Sequence, residues 1–165
     1  MVAPKTNAYS LIEAKPFSPH LGAEVYGVDL SETISDAQFA EILDAFLKYQ
    51  VLFFKNQKEI PPEQHVIFGK RFGPLHAHPA APTMEGHPEI FEIHATKDSK
   101  VANGEFWHSD VSCDDTPPLG TMLQIHIAPP YGGDTMFSNM EAAYDDLSDP
   151  MKKMLGGLTA LHSSE

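Results

Sequence analysis

A mixed fold, with helices early and antiparallel strands later (α+β or a sandwich), is what this sequence predicts, and three observations carry it. Residues 35–50, SDAQFAEILDAFLKYQ, hold the clearest amphipathic helix pattern of the chain. Beyond Gly73 the apolar residues fall into short runs separated by Pro- and Gly-rich turns. Fourteen prolines point to many turns and short strands and away from a helical bundle. At 165 residues and 42% hydrophobic content, the chain has the length and apolar content of one packed domain, and a single domain over 1–165 is expected.

The elements follow in order. GAEVYGVDL (22–30) alternates and reads as a strand. In the helix, Ser35 is the expected N-cap, with Gln38 three residues on completing a capping box. Phe39, Ile42, Leu43, Phe46 and Leu47 recur at helical spacing, which predicts one buried stripe. VLFF (51–54) reads as a short, fully buried strand. A second helix is expected after Pro61–Pro62, stopping at Gly73. PEIFEIHAT, LGTMLQIHIA and DTMFS then read as strands, with Gln124 and His126 on the polar face of the middle one. Ser138 with Glu141 predicts another capping box, SDPMKKML a short helix ending at Gly156–Gly157, and LTALHSSE the start of a strand.

Composition excludes several functions. Eleven basic against 23 acidic residues give a net charge of −12, which disfavours nucleic-acid binding, because phosphate contacts need clustered Lys and Arg. No run of eighteen apolar residues exists to cross a membrane. The opening MVAPKTNAYSLIEAKPF lacks the apolar stretch of a secretory signal. The one cysteine, Cys113, can form neither an internal disulfide nor a thiolate zinc site, and its acidic neighbours argue against a reactive thiolate. A cytoplasmic protein is expected.

The chemistry concentrates in NGEFWHSDVSCDD, residues 103–115. On a strand, positions i and i+2 share a face, so His108 and Asp110 can present an imidazole nitrogen and a carboxylate oxygen together. Such a pair suits iron(II), manganese or zinc. On spacing alone, a strand histidine bonded structurally to a neighbouring carboxylate explains the pair as well.

The wider context is Trp107, His108, Ser109 and Asp110, then Pro117–Pro118, then Gly132-Gly133-Asp134-Thr135. In that order, with LGAEVYGVDL, YQVLFFKNQ and KRFGPLHAHP upstream, the chain resembles the taurine dioxygenase family over about residues 22–163. That family comprises iron(II)- and 2-oxoglutarate-dependent oxygenases, phenoxyalkanoate dioxygenases among them. The resemblance implies a double-stranded β-helix (a jelly roll, cupin-like) with flanking helices. It implies that His108 and Asp110 are two of three iron ligands and that the Thr135 hydroxyl helps bind a 2-oxoglutarate carboxylate. It implies that His78 contacts the anionic group of the substrate, that Val111 lies beside the substrate, and that Asn103, one residue further from the Trp than in the family pattern, lines the pocket. The implied reaction hydroxylates a small anionic compound (a sulfonate, sulfate ester or aryloxyalkanoate) with O2, releasing succinate and carbon dioxide. Homo-oligomers are the family's tendency.

Other readings stay open beside it. Without the resemblance Thr135 is a strand-start threonine after a Gly-Gly turn, and Trp107 is a core anchor as readily as a substrate platform. In the His76/His78 pair only His78 is expected to face the pocket, and His126 and His162 are expected as polar strand positions and not as ligands. The family's third ligand, a distant histidine, is followed by an arginine for the far carboxylate of 2-oxoglutarate. His162 comes too early to match it, and Arg71 is the chain's one arginine. The expectation is therefore an N-terminal portion of a longer catalytic domain. Its rivals are a non-catalytic remnant or binding module of the same fold, and a zinc- or manganese-dependent cupin-like enzyme.

Overall fold

The computed structural model describes residues 9–163 other than 78–81, 97, 100–103 and 105. Two compact units are present: one from the described parts of 1–60 and 125–158, the other from those of 61–124 and 159–165.

The first unit is built on a three-stranded sheet of order β1-β2-β3, with β1 at Glu13–Pro16, β2 at Ala23–Tyr26 and β3 at Leu52–Phe54. β1 and β2 run antiparallel (Glu13 opposite Tyr26), while β2 and β3 run parallel (Ala23 opposite Leu52, Val25 opposite Phe54). A parallel pair needs a crossover, and α1 (Asp36–Tyr49) supplies it. Ser35 caps α1 by accepting from the Gln38 N–H at 3.2 Å. The Gln38 side chain does not return to Ser35 as a full capping box would. Its amide donates instead to the carbonyls of Leu11 and Gly27, so it ties two loops to the helix start. The helix ends at Gln50 in the left-handed region (φ 65), its N–H donating to the Phe46 carbonyl at 2.7 Å.

The buried stripe of α1 is Phe39, Ile42 and Ala45, with Leu43 and Phe46 half-buried. Leu47, expected in that stripe, is 65% exposed. At about 100° per residue Ala45 extends the arc of Phe39 and Ile42 on one side, while Leu47 falls past Leu43 at the opposite margin. Ile42, Ala45, Ala23 and Val25 are all fully buried, and Ile12, Val28, Leu30, Ile34 and Ile60 complete the core of this unit. β3 is an edge strand and is not fully buried. Phe53 is 36% exposed, and its ring meets Phe17 at 5.5 Å and Phe137 edge-on at 6.2 Å. A side chain on Gly22 (φ 88) would press within 3.3 Å of that same ring.

Two further short helices belong to this unit. α3 (Met140–Asp145) is capped by Asn139 and not by Ser138, its side chain accepting from the Ala142 N–H at 2.9 Å. Glu141 accepts from Gln50 at 3.1 Å, so the capping-box carboxylate serves a different bond. α4 (Asp149–Leu155) begins after Ser148 and stops at Gly156 as its sequence predicts.

In the second unit, α2 (Pro62–Lys70) starts with proline in its first turn, where a missing N–H costs nothing. It ends three residues before Gly73. The N–H groups of Arg71, Phe72 and Gly73 reach back three residues, tightening the exit into 3₁₀ geometry. β4 (Thr83–Met84) and β5 (His87–Phe91) form an antiparallel hairpin, shorter than the strand expected over 88–96.

Among the described residues, 119–128, 134–138 and 158–163 form no strand. The apolar alternation is present, but no strand among the described residues pairs with it, and Leu123, Ile125 and Ile127 stand 58%, 65% and 89% exposed. No helix among the described residues is long and apolar enough to cross a membrane.

Candidate metal centre

His108 and Asp110 do not sit on a strand. His108 lies in an irregular segment, and Asp110 opens a turn over 110–113, with Asp114 N–H donating to the Val111 carbonyl at 3.2 Å. Val111 takes φ 51, a left-handed conformation that a β-branched residue rarely adopts. The turn achieves what strand pleating was expected to achieve: His108 Nε2 and Asp110 Oδ1 stand 3.1 Å apart.

The surroundings select which atoms are available. His108 Nδ1 is 2.7 Å from the Phe106 carbonyl oxygen, an acceptor only, so Nδ1 carries the proton. In a neutral ring, Nε2 is then the atom with a lone pair, the tautomer that outer hydrogen bonds fix in metal-bound histidines. Asp110 Oδ2 accepts from Thr121 Oγ1 at 2.8 Å, which leaves Oδ1 facing the imidazole. The hydrogen bond to the Phe106 carbonyl, joined by the negative charge of Asp110, raises the His108 pKa above its ordinary value, while partial burial pulls the other way. Proton and cation therefore compete for one place, between Nε2 and Oδ1.

The donor set fits a first-row cation. Two adjacent ligands bonded at about 2.1 Å, at right angles, stand about 3 Å apart, close to the separation found here. One borderline nitrogen and one hard oxygen suit iron(II), manganese or zinc alike. Among the described residues no third His, Cys, Asp or Glu joins them. Both side chains are about half exposed, at 54% and 52%.

The other candidates separate clearly. Val111 adjoins Asp110 in the turn and is half-buried. Thr135 belongs to the first unit, is exposed, and follows Gly132 (φ 74) and Gly133 (φ 73), the tight glycine turn read from GGDT. His78 and Asn103 lie outside the described residues. Trp107 is 67% exposed, so it is no core anchor in this chain. His76 Nε2 meets Asp114 Oδ2 at 3.0 Å, and His162 Nδ1 meets Ser112 Oγ at 2.9 Å; the two histidines hold the turn that follows Asp110. His126 faces Glu59 at 3.5 Å. Neither His126 nor His162 occupies a strand. The Thr121 contact escaped sequence reasoning, since no spacing rule connects positions eleven apart across an irregular loop.

The family described as "Taurine catabolism dioxygenase TauD, TfdA family" matches residues 13–165. The chain belongs to that family. Within it, the chain is 34% identical over 159 residues to an alkylsulfatase of Acinetobacter baylyi, covering 96% of this chain and 49% of that protein. It is 31% identical over 154 residues to an alpha-ketoglutarate-dependent sulfate ester dioxygenase of Pseudomonas putida, covering 93% and 50%. Among solved structures, a taurine dioxygenase from Burkholderia xenovorans superimposes with TM-score 0.71 at 36% identity, covering 90% of this chain and 52% of that one. The chain thus spans about half the length of the relatives it matches. The recognition drawn from WHSD and GGDT agrees with this membership.

Proposed function

We propose that these residues form part of the active site of an iron(II)- and 2-oxoglutarate-dependent dioxygenase. Its substrate is a small anionic organic compound, hydroxylated with release of succinate and carbon dioxide. The observation that carries this reading is the 3.1 Å approach of His108 Nε2 to Asp110 Oδ1, with Nδ1 already committed to the Phe106 carbonyl. When bound, iron(II) with 2-oxoglutarate and O2 supplies the oxidising chemistry.

This chain's own residues do the rest of the positioning. His108 would hold the metal through Nε2 and Asp110 through Oδ1. Thr135 donates its hydroxyl to a carboxylate of 2-oxoglutarate. His78 donates to the anionic group of the substrate, as an imidazole N–H can, while Asn103 and Val111 line the pocket. The reading also needs a third metal ligand, which no described residue supplies, and a cation for the far 2-oxoglutarate carboxylate. With it goes a fold proposal: the segments 119–128 and 134–138 are strands of a double-stranded β-helix, formed when partners pair with them. Names of relatives specify sulfate esters, taurine and phenoxyalkanoates at similar identity, so all three classes belong in the test.

The test is succinate formation by the purified protein given iron(II), 2-oxoglutarate and, in turn, an alkyl sulfate, taurine and an aryloxyacetate. The expected result is turnover with one substrate class that requires both iron(II) and 2-oxoglutarate. His108→Ala or Asp110→Ala should lower it by more than about 100-fold, beyond what loss of an outer-shell partner costs. Turnover that survives iron chelation, or that zinc alone supports, would contradict the proposal. A second reading, a binding module without catalysis, is favoured by the count of two metal donors among the described residues. It predicts anion binding with no succinate under any of these conditions.

A further inference from the structure

The hydrogen bond between Thr121 and Asp110 has a consequence for how the metal is held. Asp110 has two carboxylate oxygens, and a cation can take one or both. Oδ1 is turned to His108 Nε2 at 3.1 Å, while Oδ2 accepts from Thr121 Oγ1 at 2.8 Å. A hydroxyl held at that distance occupies a lone pair of Oδ2 and fixes the rotation of the carboxylate about its last torsion, which is otherwise broad. Asp110 is about half exposed, so packing alone does not set that rotation. Thr121 lies in the same compact unit, eleven residues on, in an irregular segment and outside any regular element.

We propose that Thr121 is a positioning residue. By engaging Oδ2 it restricts Asp110 to one-oxygen ligation through Oδ1, so that the carboxylate spends a single coordination position and the rest stay open for co-substrate and oxygen. The inference deepens the proposed function and rests on its metal reading. It assigns Asp110's orientation to a side chain that neither the His-x-Asp spacing nor the Gly-Gly-Asp-Thr turn contains. Thr121 touches neither metal nor substrate and acts only through Asp110. Partners of this kind typically contribute 10- to 100-fold to metal affinity.

The experiment titrates the protein with Mn(II), followed by the loss of the free-ion paramagnetic signal, for the parent, Thr121→Val, Thr121→Ser and His108→Ala. Thr121→Val keeps the branched shape and removes the donor; Thr121→Ser keeps the donor. The expected result is affinity about 10- to 100-fold weaker in Thr121→Val, restored to within about 3-fold in Thr121→Ser. Thermal unfolding without metal should be unchanged in Thr121→Ser. The infrared splitting between the two carboxylate stretches of the Mn(II)-bound form should narrow in Thr121→Val as Oδ2 becomes free to ligate, a change that a purely structural role would not produce. Thr121→Val binding as tightly as the parent, with an unchanged splitting, would overturn the inference alone. Mn(II) binding that is absent in the parent, or undiminished in His108→Ala, would overturn the metal reading beneath it.

Discussion

Two apolar stretches of this chain meet opposite ends. In β2 and α1, Ala23, Val25, Ile42 and Ala45 are wholly withdrawn from solvent, whereas Leu123, Ile125 and Ile127 stand 58–89% exposed although their alternation is the cleaner strand pattern. Hydrophobicity does not separate them; the fate of the backbone does. A helix closes its own hydrogen bonds, so α1 needs only a surface on which to lay its stripe. A strand must borrow its partner. β2 finds partners on both sides, in β1 and β3, and the 119–128 segment finds none among the described residues. An apolar pattern therefore states what a segment can bury, and pairing decides whether it does.

Substitutions sharpen this contrast. The largest effect belongs to the buried side. Ile42→Ala should destabilise the protein by about 2–5 kcal/mol, the usual cost of a large-to-small change in a packed core, read from the urea midpoint at constant slope. Loss of the α1 cap comes next. Ser35→Ala removes the acceptor of the Gln38 N–H and should cost about 1 kcal/mol in the same measurement.

A smaller effect depends on pH. The Lys58 ammonium and two bonds from Ser31 lower the Asp29 pKa to about 2. A carboxyl depressed on folding stabilises the protein above its unfolded pKa of about 3.9, and that contribution is lost as pH falls through the folded value. Stability should therefore fall between about pH 4 and pH 2, and Asp29→Asn should flatten that window, as acid titration of the unfolding midpoint would show. The smallest effect belongs to the exposed side. In the 165-residue chain by itself, Ile127→Ala should change stability by no more than about 0.5 kcal/mol, because the side chain is 89% exposed there. If it cost as much as Ile42→Ala, the contrast would fail, and 119–128 would be part of a core.

The same logic explains which parts were legible in the sequence. α1 was, since Ser35, the 3.6 period and Lys48 near the end all act within the element. Leu47 was misplaced, at the margin of a stripe centred on Ile42, and Gln38 does not close the expected capping box. The start of α3 shifted by one residue, because Ser138 and Asn139 are both good caps and the sequence does not rank them. β1 was not legible. EAKP has no apolar alternation and is a strand only because β2 lies beside it. At the candidate site, WHSD and GGDT pointed to a metal pair and a glycine turn through resemblance. The means by which His108 and Asp110 converge were misread: a turn with Val111 at φ 51 brings them together where a pleat was expected. The Phe106 carbonyl and the Thr121 hydroxyl were invisible, because they reach the pair through loop geometry.

The central claim is that His108 and Asp110 share one cation. Electron spin echo modulation of Mn(II) added to the protein tests it most directly, since a bound imidazole nitrogen imprints its own frequencies on the echo. The expected result is nitrogen modulation in the parent protein that is clearly diminished in His108→Ala, any remainder coming from the second histidine that the proposed site requires. Modulation persisting unchanged in His108→Ala would contradict it, and would show that the 3.1 Å pair is an ordinary hydrogen bond.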